Sequence, residues 1–226
     1  MTLRAVAWDV DGTLVDSEPL HHDALLAACA KWDVDISDIS DATFHGVHMG
    51  DVWKVLMPRM PASARKDDWV QANDDYYVEH RKLLKPMPRA IETVNALSRA
   101  GIVQICVSNA SRMILDANID ALGIAGTLAF SLSIDDVANG KPHPEPYATG
   151  SARLGLKPNE VAAIEDSATG RRSARAAGLM VIAYDHLNEA VIDADHIIRD
   201  LARLPGLIGA GPTATMKVEL HGTSGA

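Results

Sequence analysis

Residues 4–13 read RAVAWDVDGT. The apolar run 4–8 stops at an acid, Asp9, and Gly12 follows, the pattern of a short buried strand running into a loop. Two further stretches repeat it. Residues 102–107 (IVQICV) end at Ser108 and Asn109, and residues 161–164 end at Glu165 and Asp166. Helical segments separate these runs. Residues 89–100 end at Gly101, 111–122 at Gly123, 144–154 at Gly155 and 169–177 at Gly178. Weaker strands are expected at 128–132, 179–183 and 196–198. Such strand–helix alternation predicts βα units and a parallel sheet.

The stretch 16–86 has a different texture, with no convincing strand. LHHDALLAACAKW places Leu20, Ala24, Ala27 or Ala28, and Trp32 at helical intervals. Residues 41–57 and 63–84 also read as helices. The expected organisation is therefore an α/β fold: a three-layer, Rossmann-like core from 1–15 and 87–205, with an all-helical insertion at 16–86. Residues 206–226 form a Gly-rich tail, either loose or adding an edge strand at 216–220.

Composition bounds the function. In 226 residues the hydrophobic share is 47% and the charged share 23%, so the chain can build a core. Aromatics are only 4%, so that core must be mostly aliphatic. Lys plus Arg number 21 against 30 Asp plus Glu, and the net charge of −9 argues against nucleic-acid binding. Cys29 and Cys106 form no CxxC pair, which favours a reducing compartment. No apolar run is long enough for a membrane span, and Asp9 falls where a signal peptide needs apolar residues. A cytoplasmic protein, monomer or homodimer, is expected, with no membrane partner.

In an open parallel sheet, ligands bind beyond the carboxyl ends of the strands. Asp9, Asp11, Ser108, Asn109, Glu165 and Asp166 all follow strands, and Lys141 lies in a connection. Crowded carboxylates are costly to ionise. A hard cation such as Mg²⁺ relieves that, and it takes oxygen ligands including phosphate. Lys141 and the Ser108 hydroxyl suit phosphate oxygens. The set reads as phosphoryl transfer.

DVDGT at 9–13 resembles the first motif of the haloacid dehalogenase superfamily. Ser108 in VSNAS resembles its second motif, Lys141 in GKPHPEPY its third, and Glu165-Asp166 in IEDSATG its fourth, in family order over residues 1–203. The insertion resembles the helical cap of the subclass containing β-phosphoglucomutase and many sugar-phosphate phosphatases. The resemblance implies that Asp9 is a nucleophile that becomes an aspartyl-phosphate, and that Asp11 is the general acid and base. It implies Mg²⁺ held by the Asp9 carboxylate, the Asp11 carbonyl and Asp166, with Glu165 a direct or indirect partner. Ser108 and Lys141 would hold phosphate, supported by Asn109 and the N–H groups of Val10 and Gly12.

Within that resemblance, Asp11 favours oxygen-linked phosphate chemistry, because displacing a halide needs no acid. His21 stands twelve residues after Asp9, as in β-phosphoglucomutases. Met49 and Ala72, however, stand where those mutases carry Arg and Lys. The expected activity is a phosphatase for a small phosphorylated metabolite, such as a sugar phosphate. The alternatives are a β-phosphoglucomutase-like mutase and a non-catalytic phosphometabolite binder. His45 and His48 make an HxxH without a clear third ligand, so zinc is not favoured. His21 and His22 sit close to the hinge, with a substrate contact and a surface position both open. Arg112, Arg171 and Arg172 read as solvated helix charges. Trp53, Trp69, Tyr76 and Tyr77 read as cap packing, and Cys106 as inert core.

Overall fold

The computed structural model describes residues 3–209 except 41, 42, 45, 46, 48, 189, 190 and 192. The His45/His48 pair and the edge-strand reading at 216–220 lie outside the described residues. Six parallel strands make the central sheet: β1 (Ala5–Trp8), β4 (Val103–Val107), β5 (Phe130–Leu132), β6 (Val161–Glu165), β7 (Met180–Tyr184) and β8 (His196–Ile198). Their order is β5-β4-β1-β6-β7-β8.

Alternate strand residues face opposite layers. Val6, Trp8, Cys106, Ile164 and Ile182 join one apolar cluster. It is closed by Val94 and Leu97 of α4 (Ala90–Arg99), and by Leu115, Ile119 and Leu122 of α5 (Arg112–Leu122). Ala5, Ala7, Ile105, Val107, Ala163 and Val181 join the other. There Tyr147 of α6 (Glu145–Arg153) and Ala174 of α7 (Ala168–Ala176) cover the sheet. Trp8 is the largest side chain in β1, and its Nε1–H donates to Gln104 Oε1 at 3.0 Å. Gln104 Nε2 then donates to the Val94 carbonyl, also at 3.0 Å, so both buried polar groups are paired.

The chain leaves and re-enters this core through an antiparallel pair, β2 (Val15–Asp16) with β3 (Lys85–Pro86). Between them come α1 (Glu18–Ala30), α2 (Met49–Leu56) and α3 (Lys66–His80). Leu25, Ala28, Cys29, Val52, Leu56, Trp69 and Ala72 form an apolar cluster within this insertion. A second cluster joins Leu20, Ala24 and Tyr77 to Ile114 and Ala117 of α5, and so ties the insertion to the core. Arg81 Nε reinforces the seam by donating to Asp120 Oδ2 at 2.8 Å.

The elements differ from expectation mainly at their ends. The expected strand 128–132 narrows to Phe130–Leu132, the expected helix 41–57 is α-helical only over Met49–Leu56 among the described residues, and the expected helix 63–84 runs from Lys66 to His80 and into a short 3₁₀ turn, Arg81–Leu83. Helix and strand ends are where propensity is weakest.

Candidate active site

The strand order decides where the site lies. β1 is flanked by β4, which follows it through the insertion, and by β6, which lies on its other side. The sheet therefore changes direction at β1, and its neighbours' carboxyl ends open beside Asp9. Register places Trp8 opposite Cys106 and Ile164. Asp9 and Glu165 follow at one level, and Ser108 lies one residue further along its strand.

Asp9 is 8% exposed. Its Oδ1 accepts from Lys141 Nζ at 2.7 Å, and its Oδ2 accepts from the Thr13 hydroxyl at 2.9 Å. Lys141 is as buried as Asp9, and its ammonium also donates to Glu165 Oε1 at 2.7 Å. Glu165 is fully buried. The Tyr147 hydroxyl donates to its Oε1, and Ser167 Oγ donates to Oε2 at 3.2 Å. Burial lowers the Lys141 pKa, but the charges of Asp9 and Glu165 outweigh it, so the ammonium is held well above its ordinary range. Burial and the Glu165 charge push Asp9 well above the usual carboxylate value, with Lys141 opposing. The same two causes raise Asp166 to about 7.

One oxygen each of Asp9, Glu165 and Asp166 lies within 4.8 Å of the others. This is an all-oxygen cluster, the donor chemistry a hard divalent cation favours. Gly12 makes it possible. Its φ is +77°, and a Cβ there would stand 2.2 Å from Asp166 Oδ2. Gly170 likewise lets α7 approach Glu165, since a Cβ would lie 1.9 Å from its Oε2. Gly12→Ala is expected to cost about 1–3 kcal/mol from backbone conformation alone. It should also displace Asp166 and so weaken cation binding, and thermal unfolding with and without Mg²⁺ reads both effects.

Asp11 points elsewhere. Its Oδ2 accepts from Ser108 Oγ at 3.3 Å. Its Oδ1 accepts from Asn118 Nδ2 at 3.0 Å and from His21 Nε2–H at 3.3 Å. Burial pushes the Asp11 pKa up, but the hydrogen bond and charge from His21 reverse this and hold it below its usual value. His21 is raised in turn: burial lowers it, and Asp11 overrides. Ser108 does not cap α5. That N-cap is Ser111, which accepts from the Ile114 N–H, while Ser108 Oγ accepts from the Ala110 N–H at 2.9 Å.

Several expected site residues also make contacts that sequence does not reveal. Asn109 holds the Lys141 loop: its Nδ2 donates to the Lys141 carbonyl at 3.0 Å, and its Oδ1 accepts the Lys141 N–H at 2.8 Å. The Gly12 N–H donates to the Val15 carbonyl at 2.9 Å, so Gly12 shapes the site through its missing side chain. Asp11's carboxylate is outside the Asp9–Glu165–Asp166 cluster. Arg171 is not a solvated charge. It is 7% exposed and donates to the Asp166 carbonyl at 2.6 Å and to Asp193 Oδ1 at 2.8 Å. Arg112 is also engaged, with Asp116, Ser131 and Asp136. Met49 and Ala72 both pack in the insertion's apolar cluster. Thr13, Tyr147 and Asn118 were not singled out from sequence. Thr13 is part of the quoted DVDGT, and Asn118 is a polar residue on the apolar face of a helix.

The fold and site define an open parallel-sheet protein with acids gathered at the switch point. The family model for haloacid dehalogenase-like hydrolases matches residues 3–178, and the chain belongs to that family. A phosphoglycolate phosphatase of Shigella boydii is 30% identical over 205 residues, covering 78% of this chain and 79% of the relative. A validoxylamine A 7'-phosphate phosphatase of Streptomyces hygroscopicus is 24% identical, covering 89% of this chain and 95% of the relative. Among solved structures, CbbY from Rhodobacter sphaeroides in complex with phosphate matches with a TM-score of 0.78 and 25% identity. That match covers 90% of this chain and 96% of CbbY, a mutant of which was solved with xylulose-1,5-bisphosphate. Among the described residues, no helix is long and apolar enough to cross a membrane.

Proposed function

We propose that this chain is a Mg²⁺-dependent phosphatase that hydrolyses a small phosphorylated metabolite through an aspartyl-phosphate on Asp9. The observation that carries this reading is the separation of the two aspartates. Asp9 sits in the acidic cluster against Lys141, while Asp11, two residues on, is held apart by Ser108, His21 and Asn118. Two carboxylates with separate partners can serve separate roles: a cation bound in the cluster would favour the ionised Asp9 that attack needs, and Asp11, clear of the cluster, would act as acid when protonated with substrate bound. The phosphatase names of the relatives support the substrate class.

An Asp9 oxygen attacks phosphorus, and the bond from phosphorus to the ester oxygen breaks. Asp11 gives its proton to the departing oxygen. Asp11 then takes a proton from water, which attacks the aspartyl-phosphate and frees Asp9 and phosphate. Lys141 and Ser108 balance charge on the phosphoryl oxygens. Asp9 and Asp166, with Glu165 and the Asp11 carbonyl, would hold Mg²⁺, which when bound neutralises charge on the transferring group. Residues 16–86 would serve as the cap that limits water and selects substrate. A cytoplasmic setting accords with the two free, buried cysteines.

A phosphate-release panel of phosphorylated metabolites with Mg²⁺, using Asp9→Asn as the blank, tests the reading. One strong hit lost in the blank supports it, whereas activity equal in both proteins overturns it. A silent panel sends the work to a primed hexose 1-phosphate isomerisation assay, because His21 beside Asp11 is the feature that favours a mutase. Against that, Met49 and Ala72 supply no cation for a second phosphate. EDTA is expected to abolish turnover and Mg²⁺ to restore it. Mg²⁺ should also raise the unfolding midpoint, by about 2.7 kcal/mol of stability at a hundred times its dissociation constant.

A further inference from the structure

We infer that Asn118 is a positioning residue for Asp11, and that through it Tyr77 of the insertion holds the same carboxylate. The inference rests on the reading of Asp11 as general acid.

Asn118 lies on α5 and is fully buried, on the helix face that carries Ile114, Leu115, Ile119 and Leu122. A primary amide among apolar side chains is costly unless both its ends are bonded. Both are. Nδ2 donates to Asp11 Oδ1 at 3.0 Å, and Oδ1 accepts from the Tyr77 hydroxyl at 2.7 Å. The chemistry fixes these directions. Asp11 Oδ1 is an acceptor whether or not Oδ2 carries the acid's proton, so the amide nitrogen must face it, and the tyrosine must then donate to the carbonyl end. Aspartate at this position would present an acceptor to an acceptor, and leucine would offer nothing.

The chain of contacts closes on itself. Tyr77 is fully buried, and its ring lies 4.6 Å, centroid to centroid, from that of His21. His21 in turn reaches Asp11 Oδ1 at 3.3 Å, the oxygen that Asn118 holds. The insertion therefore grips the acid twice, directly through His21 and indirectly through Tyr77 and Asn118. One turn before Tyr77, Asp74 Oδ2 accepts from Ser111 Oγ at 2.8 Å, so α3 is pinned to α5 beside the chain. A shift of the insertion along α5 breaks the Tyr77–Asn118 bond and loosens Asp11.

The competing interpretation is a satisfied buried amide that only joins two helices. Leaving-group dependence separates them. An alkoxide needs the proton from Asp11, whereas p-nitrophenolate leaves without one. The value of kcat/KM covers only steps up to release of the alcohol, so it isolates the acid role. Asn118→Leu, Tyr77→Phe and Asp11→Asn are compared in Mg²⁺ on p-nitrophenyl phosphate and on an alkyl phosphate monoester. Asp11→Asn should lose about a hundredfold or more on the alkyl ester and far less on p-nitrophenyl phosphate. Asn118→Leu should lose about tenfold on the alkyl ester and less than about twofold on p-nitrophenyl phosphate. Tyr77→Phe should lose less, in the same sense.

Equal losses on both substrates in Asn118→Leu, or none, with a selective loss in Asp11→Asn, overturn the positioning role alone. An unselective Asp11→Asn overturns the general-acid reading and the inference with it. If Asn118→Leu does not fold by circular dichroism, Tyr77→Phe, which keeps the ring against His21, decides by the same criterion.

Discussion

Asp9→Asn is expected to lower phosphate release by about 10⁴-fold or more while leaving the protein folded. The carboxamide cannot form the acyl phosphate, and nucleophile losses in enzymes of covalent mechanism run to that scale and beyond. The fold should tolerate it. Asn has the shape of Asp, Thr13 keeps an acceptor, and Lys141 keeps Glu165. The substitution also removes one carboxylate from a crowded buried set in which Asp9 is already pushed up by burial and by Glu165. A loss of activity with an unchanged unfolding midpoint separates chemistry from stability. A loss of only a few-fold would mean that Asp9 is a cation ligand and not the nucleophile.

Lys141→Met is expected to be the most destabilising single substitution in the site. The ammonium bridges Asp9 and Glu165 at 2.7 Å to each, and all three groups are buried. Removing one partner of a buried charge set costs about 3–5 kcal/mol, because the remaining charge is left uncompensated. Activity should fall as well, because the proposed mechanism also uses Lys141 as a phosphate partner. The deficit should depend on pH. Lys141 lowers the pKa of Asp9, so its loss raises an already raised acid further. An acid whose folded pKa exceeds its unfolded value binds protons more tightly in the folded state, so its contribution to stability worsens as pH rises above the unfolded value of about 3.9. The gap between variant and wild type should therefore be widest near neutrality and narrow toward about pH 4. Urea unfolding at several pH values measures this, and a gap independent of pH would show that Asp9 is not the group left uncompensated.

Much of this site is legible in the chain because it is local. Asp9, Ser108 and Asp166 each follow a strand that the apolar pattern reveals, and Gly12 sits in the same short loop as two of the acids. The strand order is not local. Nothing in residues 161–165 says that they pair with β1 and not with β5, since that depends on connections longer than any sequence window. Partners from distant segments were hidden for the same reason. Arg171 reads as a solvated helical charge until Asp193, twenty-two positions on, is seen beside it. Tyr147 reads as a helix residue until Glu165 is found under its hydroxyl. Asn118 gave a weak signal, a polar residue at an apolar helix position, but its meaning required Tyr77 from the insertion. Asn109 as the brace of the Lys141 loop was not legible, because that is a backbone contact between distant segments.

The most direct test of the account is the stereochemical course at phosphorus. Hydrolysis of an isotopically chiral phosphate ester, the best substrate from the panel, should proceed with retention of configuration. Transfer to Asp9 inverts phosphorus once, and transfer from Asp9 to water inverts it again. Net inversion would show that water attacks the substrate directly, and would contradict the aspartyl-phosphate on Asp9.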